Sequence, residues 1–188
     1  MHKIIIASLI FIAAVFALFY FELPFNLLKP VFHKDTVDTY SRQYGMDPLL
    51  ISAMIKVESN FARLARSHSG AVGLMQLMPS TAKELAEELE IKGFDIKDLE
   101  NPDTNIRLGA YYISQLQKEF RGSLPLALAA YNAGKGKVQS WYLQNPLIEI
   151  EISDIPYKET RNYVDAVTKT YRWLKLLKEF KNLIRGRV

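Results

Sequence analysis

The 188-residue chain contains no cysteine. That excludes disulfides, thiolate nucleophiles and thiolate-held metals. Histidine is almost absent too. His2, His33 and His68 are scattered, so no histidine-based metal site is expected, and no cofactor is expected. There is no internal repeat, and no charge of one sign dominates: 24 Lys/Arg against 20 Asp/Glu give +4. The excess is local. From Lys158 to the end nine Lys/Arg face three Asp/Glu, a balance of 9 − 3 = +6, which leaves 4 − 6 = −2 for the remainder. A basic tail suits nucleic acid, anionic lipid or an anionic polymer. The plainer reading, the solvated face of a long helix, is preferred. No basic reading motif accompanies the tail, so nucleic acid is not an expected partner. Aromatic residues are plentiful, with ten Tyr, ten Phe and two Trp, enough to fill the single core that a chain of this length can build.

The N-terminus has its own character. Met1-His2-Lys3 precedes an apolar run from Ile4 to Phe21, broken only by Ser8. Eighteen residues at ~1.5 Å each span ~27 Å, close to the hydrocarbon thickness of a bilayer. A cleaved signal peptide is the alternative. However, the small residues Ala13, Ala14 and Ala17 are followed by Leu18-Phe19-Tyr20-Phe21, still apolar. Residues 1–21 are therefore read as an uncleaved signal anchor, one transmembrane helix. Lys3 as the only preceding charge implies N-terminus inside and domain outside. Residues 22–35, with Pro24 and Pro30, read as a linker, and residues 36–188 as the folded domain.

Helical periodicity dominates that domain. A first helix is expected from about Thr36 to Tyr44, stopped by Gly45. Asp47-Pro48 is a start signal, with Asp as N-cap and Pro in the first turn. Leu50, Met54, Val57 and Phe61 follow at helical spacing, and Glu58 borders that stripe. Residues 62–74 read as a loop, and Pro79 to about Glu90 as a helix. A connection runs from Gly93 to Pro102, a helix from Thr104 to Phe120, and a short Ala-rich helix from Leu124 to Tyr131. A long helix starts near Tyr157, with Tyr163, Val164, Val167, Tyr171, Leu174, Leu177 and Phe180 as its expected apolar side. The alternation at 148–152 suggests a brief strand. The fold class is all-α.

Glu58 carries the chemical signal. A carboxylate on a mostly apolar helix face is costly to ionise, which raises its pKa and makes it a proton donor near neutral pH. Three further clusters follow: Gly73-Leu74-Met75-Gln76-Leu77-Met78-Pro79, Ala130-Tyr131-Asn132-Ala133-Gly134, and Glu159-Thr160-Arg161-Asn162-Tyr163. Each has a purely structural alternative. Met75 and Met78 can be core packing, Asn132 and Gly134 a helix end, and Glu159 a charge favoured by a helix N-terminus.

Taken in order, the four clusters resemble the soluble lytic transglycosylases and, more distantly, goose-type lysozyme, over roughly residues 36 to 175. The resemblance implies a lysozyme-like fold and cleavage of the glycan strands of peptidoglycan, the β-1,4 bond from N-acetylmuramic acid to N-acetylglucosamine. Glu58 is then the catalytic acid. Ser67, nine positions later, and Gln76 and Met78 line the sugar groove. Tyr131 stacks on or bonds a sugar ring, Asn132 bonds an N-acetyl group, Glu159 reaches the groove, and Tyr163 lies near the acid. The family is understood to use one carboxylate as acid and then base, with the 6-hydroxyl of the muramic acid as the attacking group. Most glycosidases need a second carboxylate, and none stands out here. Lys135 to Asp154 carries no signature. The implied partners are glycan strands and, through residues 1–21, the cytoplasmic membrane, with the domain on its outer side. The competing readings are a goose-lysozyme-type hydrolase and a non-catalytic glycan-binding scaffold.

Overall fold

The computed structural model describes residues 8–13, 33–144 and 150–185. The chain divides into two units, Met1–Lys34 and Asp35–Val188. In the first, residues 8–13 are helical with exposed side chains; the remainder of the expected membrane segment and nearly all of the linker lie outside the described residues. Among the described residues no helix is long and apolar enough to cross a membrane.

The second unit is built of helices. They are α1 (Lys34–Tyr44), α2 (Pro48–Ser59), α3 (Pro79–Glu88), α4 (Pro102–Glu119), α5 (Leu124–Ala133), α6 (Lys135–Gln144) and α7 (Lys158–Arg185), with 3-10 turns at Ile96–Glu100 and Ile152–Asp154. The only strand-like pairings among the described residues are two isolated bridges, Arg66 with Val72 and Val72 with Leu77. The expected strand at 148–152 does not form where it is described: Ile150 and Glu151 are irregular and Ile152 starts a 3-10 turn.

Local chemistry sets the helix ends. The Asp47 carboxylate accepts from the Leu49 N–H at 2.8 Å and Pro48 fills the first turn, which satisfies amides that would otherwise be orphaned. Asp47 also accepts the Tyr171 hydroxyl proton at 2.6 Å, fixing α7 against the start of α2. From Leu50 to Ile55 every residue of α2 is buried. A helix apolar on all sides is the centre of a fold. Asn60, with φ 50° and ψ 37°, ends it in the left-handed conformation. Phe61 follows with φ 63°, so it lies past the helix that the periodicity assigned to it. Asn101 with Pro102 repeats the same start signal for α4.

Two apolar clusters result. The larger gathers α1, α2, α4, α5 and α7 around Ile51, Met54, Ile55, Ile113, Leu128 and Val164. The smaller joins Val72, Leu77, Ala82, Leu85, Leu99 and Leu108, under α3 and the first 3-10 turn. Tyr112 and Tyr131 pack against both clusters, so the seam between them runs beside these two rings. On α7 burial ends at Leu174: Leu177 is half-buried and Phe180 is exposed, contrary to the expected stripe.

Candidate active site

Glu58 occupies the last turn of α2, where the helix leaves the core. It is half-buried. Burial is the main influence on its carboxyl and pushes the pKa from 4.5 up to about 7. The Tyr163 hydroxyl works in the opposite sense, favouring the charged form. This hydroxyl is buried and near Glu58, yet among the described residues no hydrogen bond of good geometry closes on it. The pair is therefore close without being locked. Among the described residues no second carboxylate affects the proton affinity of Glu58. Asp165 pairs with Lys169 at 2.7 Å.

The loop after α2 is held tightly. Ser59 Oγ donates to the Leu74 carbonyl at 2.8 Å and to that of Ile55 at 3.1 Å, a shared proton. Val72 and Leu77 exchange two main-chain hydrogen bonds, at 2.9 and 3.1 Å. Beneath them lies Asn105 of α4, wholly buried. Its Nδ2 donates to the carbonyls of Val72 and Leu99 at 3.0 and 2.9 Å, and its Oδ1 accepts from the Met75 N–H at 2.8 Å. All three bonds that the side chain makes are to main chain, so it braces the loop like an internal strut. Gly73, at φ +85°, passes directly over it: a Cβ there would lie 2.2 Å from Asn105 Nδ2 and 2.4 Å from the Leu99 oxygen.

A cleft of about 230 Å³ follows from this loop, lined by Gln76, Leu77, Met78, Thr81, Tyr112, Tyr131, Asn132, Ala133 and Gly134. Gln76 has φ +46°, and its Nε2 donates to the carbonyls of Ala65 at 3.1 Å and Gly73 at 2.8 Å. Of the two methionines, Met75 is buried in the core and Met78 is 40% exposed at the cleft. Tyr131 tilts against Tyr112, with ring centroids 5.2 Å apart, and its hydroxyl donates to the Met75 carbonyl at 2.8 Å. Burial first, then the Glu58 charge, holds the Tyr131 and Tyr163 phenols well above their ordinary 10. Both remain neutral. Tyr131 thus feels the acid electrostatically and also lines the cleft.

The sequence-derived residues divide into groups. Gln76, Met78, Tyr131 and Asn132 share the cleft, and Glu58, Tyr131 and Tyr163 influence one another. Ser67 is exposed and caps its own turn, its Oγ accepting from the Ala71 N–H at 3.0 Å. Glu159 is exposed in the first turn of α7. Asn132 lies within α5, and it is Gly134, at φ +93°, that ends the helix. Sequence reasoning missed Asn105, whose only signal is a polar residue beside the core residue Ile106. It also missed the place of Tyr112 at the cleft. A roomier cleft of about 630 Å³ lies between the start of α5 and α7, lined among others by Ile150, Glu151, Tyr171 and Arg172, and it contains none of the sequence-derived site residues.

Comparison with known proteins matches residues 35–151 to the transglycosylase SLT domain. The chain is 34% identical over 148 residues to the soluble lytic murein transglycosylase of Salmonella typhimurium, covering 73% of this chain and 22% of that protein. It is 41% identical over 90 residues to the membrane-bound lytic murein transglycosylase E of Buchnera aphidicola, covering 46% and 40%. An inactive mutant of lytic transglycosylase Slt from Pseudomonas aeruginosa superposes with a TM-score of 0.67 at 40% identity, over 76% of this chain and 24% of that one. The complex of a 70-kDa soluble lytic transglycosylase with bulgecin A superposes with a TM-score of 0.74 at 29% identity, over 80% and 25%. The chain thus spans about a fifth to two-fifths of the length of these relatives. A match over most of the helical unit, together with the fold of solved relatives, leads to one conclusion: the chain belongs to the transglycosylase SLT domain family.

Proposed function

We propose that this chain is a peptidoglycan lytic transglycosylase. It cleaves the β-1,4 bond between N-acetylmuramic acid and N-acetylglucosamine and leaves 1,6-anhydro ends. The observation that carries this reading is Glu58, half-buried in the last turn of α2 near the buried Tyr163 hydroxyl, its carboxyl raised to about 7 with no second carboxylate among the described residues acting on it. Near neutral pH a large fraction holds a proton. Glu58 gives that proton to the glycosidic oxygen as the bond to the anomeric carbon breaks. The 6-hydroxyl of the same muramic acid then bonds the anomeric carbon and passes its proton to the Glu58 carboxylate, which regenerates the acid. No water is consumed. An internal nucleophile avoids the entropy of recruiting one. Gln76, Met78, Tyr131 and Asn132 bind the strand in the cleft, Tyr163 tunes the acid, and Ser67 and Glu159 extend the groove. A water-using mechanism wants a second carboxylate as base. Asp165 is engaged by Lys169 and Glu159 is exposed at the start of α7.

Digestion of purified sacculi followed by mass spectrometry tests the reaction. Products lighter by one water and lacking reducing ends are expected; reducing ends alone would assign the chain to the hydrolases.

The apolar run Ile4–Phe21 supports an uncleaved anchor in the cytoplasmic membrane, with the domain on its outer side. Alkaline carbonate washing of membranes checks this. The full chain should stay in the pellet, and a soluble form beginning within residues 15–25 would show a cleaved leader.

A further inference from the structure

The C-terminal part of α7 carries a second apolar stripe that the fold does not use. Burial on this helix follows Tyr163, Val164, Val167 and Leu174, and no described residue after Leu174 is buried. Yet the apolar pattern continues. Trp173, Leu176, Phe180 and Leu183 are 44%, 64%, 62% and 55% exposed. Their spacing of three, four and three places them on one face. At ~100° per residue that face lies roughly 160° from the buried one, nearly on the opposite side of the helix, so it is not a frayed continuation of the core stripe. Half-buried Leu177 borders it.

The rest of the same segment is basic. Arg172, Lys175, Lys178 and Lys181 are exposed, with Glu179 the one acid between 172 and 183, a balance of 4 − 1 = +3. By helical position Arg172 and Glu179 lie along one edge of the stripe, and Lys181 lies beyond Leu177 on the other. We infer that this segment is an interfacial amphipathic helix, which lays Trp173, Leu176, Phe180 and Leu183 onto an anionic lipid surface.

Charge decides between occupants. A second copy of α7 laid stripe to stripe would bring together two segments that each carry +3, with Glu179 the one acid each offers at an edge, where paired helices want balanced opposite signs. An anionic polymer would engage the cations and leave four large apolar side chains in water. A bilayer with anionic headgroups satisfies both halves: the stripe enters the acyl boundary, and the long Lys and Arg stems keep their charges at headgroup level. Trp and Phe among the apolar residues and Lys and Arg on the polar side are the composition of such helices. The inference does not rest on the anchor proposed above, because the stripe and its cations would act on a bilayer whether or not residues 4–21 span it.

The full chain is the test object, mixed with vesicles of phosphatidylcholine alone or of phosphatidylcholine with phosphatidylglycerol. The sequence has two tryptophans, so Trp141→Phe isolates the emission of Trp173. The difference spectrum of the unmodified chain and Trp173→Phe gives the same signal without touching Trp141. With phosphatidylglycerol present, Trp173 emission should shift to the blue, be quenched by brominated acyl chains and lose most of its quenching by acrylamide. High salt should reverse part of this, and the double variant Leu176→Glu/Phe180→Glu should abolish it with helical circular dichroism retained. The anchor, if it inserts, is common to both lipids and cannot produce the difference. Equal acrylamide quenching in the two lipids overturns the inference. So does shielding that follows protein density in both lipids alike, which would identify a second copy as the occupant.

Discussion

Tyr131 donates its hydroxyl proton to the main-chain carbonyl of Met75 across 2.8 Å, joining α5 to a loop 56 positions earlier in the chain. The bond fixes one wall of the cleft to the other through a residue whose ring also packs on Tyr112. Tyr131→Phe leaves the ring and removes the donor, so the partly buried carbonyl loses its partner. A loss of about 1–2 kcal/mol is expected, which lowers the melting temperature of a chain this size by about 2–8 °C. Thermal denaturation of the two proteins measures it, and an unchanged midpoint would show that the bond contributes nothing.

Glu58 couples chemistry to stability in a definite direction. Its folded pKa, about 7, stands above the ordinary 4.5. The folded protein therefore holds a proton that the unfolded chain releases between those values. The contribution of Glu58 is at its best below pH 4.5 and is lost as pH rises through 7. Glu58→Gln cannot titrate, so its melting temperature should gain on that of the parent across this window. Its lytic activity should fall by about 10²–10⁴-fold or more, since one group serves both proton transfers. Melts at a series of pH values, paired with turbidity loss of sacculi, give both readouts. A parallel pH dependence of the two proteins would contradict the assignment.

Tyr163→Phe isolates the tuning of the acid. The hydroxyl favours the charged form of Glu58, so removing it should raise that pKa further and carry the alkaline fall of the pH–rate profile to higher pH. Stability should change little below the pKa of Glu58, where the carboxyl is neutral, and fall above it by the amount that corresponds to the shift. A profile that stays in place would mean that the hydroxyl does not act on the acid.

Gly73→Ala attacks the strut. The new methyl would sit 2.2 Å from Asn105 Nδ2, at a φ of +85°. Backbone strain alone costs about 1–3 kcal/mol, and the clash displaces Asn105 from its three main-chain partners. Destabilisation of at least about 2 kcal/mol is expected, read from urea unfolding. Gly70→Ala is the control: φ is also positive there, but nothing lies within 4 Å, so it should cost clearly less.

Legibility in the sequence followed the range of the interaction. Asp47-Pro48 and Gly45 act within a turn, and the structure reproduces the helix start and stop that they imply. The motif at 73–79 was legible as a string, but its support was not: Asn105 reaches it from 30 positions away and leaves no periodic trace. Helix α6 was missed because Lys135–Gln144 buries only Val138, so no apolar stripe betrays it. The opposite error arose at Phe180, where the helical period persists after the core has ended. Periodicity shows which residues share a face. What covers that face depends on the rest of the fold.

Gln76 lines the cleft with one end of its amide already spent. Both protons of its amide nitrogen are committed to the carbonyls of Ala65 and Gly73. The amide cannot be turned over, since its oxygen would then confront two carbonyl oxygens. What this side chain has left for the cleft is an acceptor. That stretch of wall is selective by polarity. A ligand group meeting it would bond through an amide or hydroxyl hydrogen, whereas a carbonyl or carboxylate would confront the Gln76 oxygen, a discrimination imposed by the loop that shapes the wall.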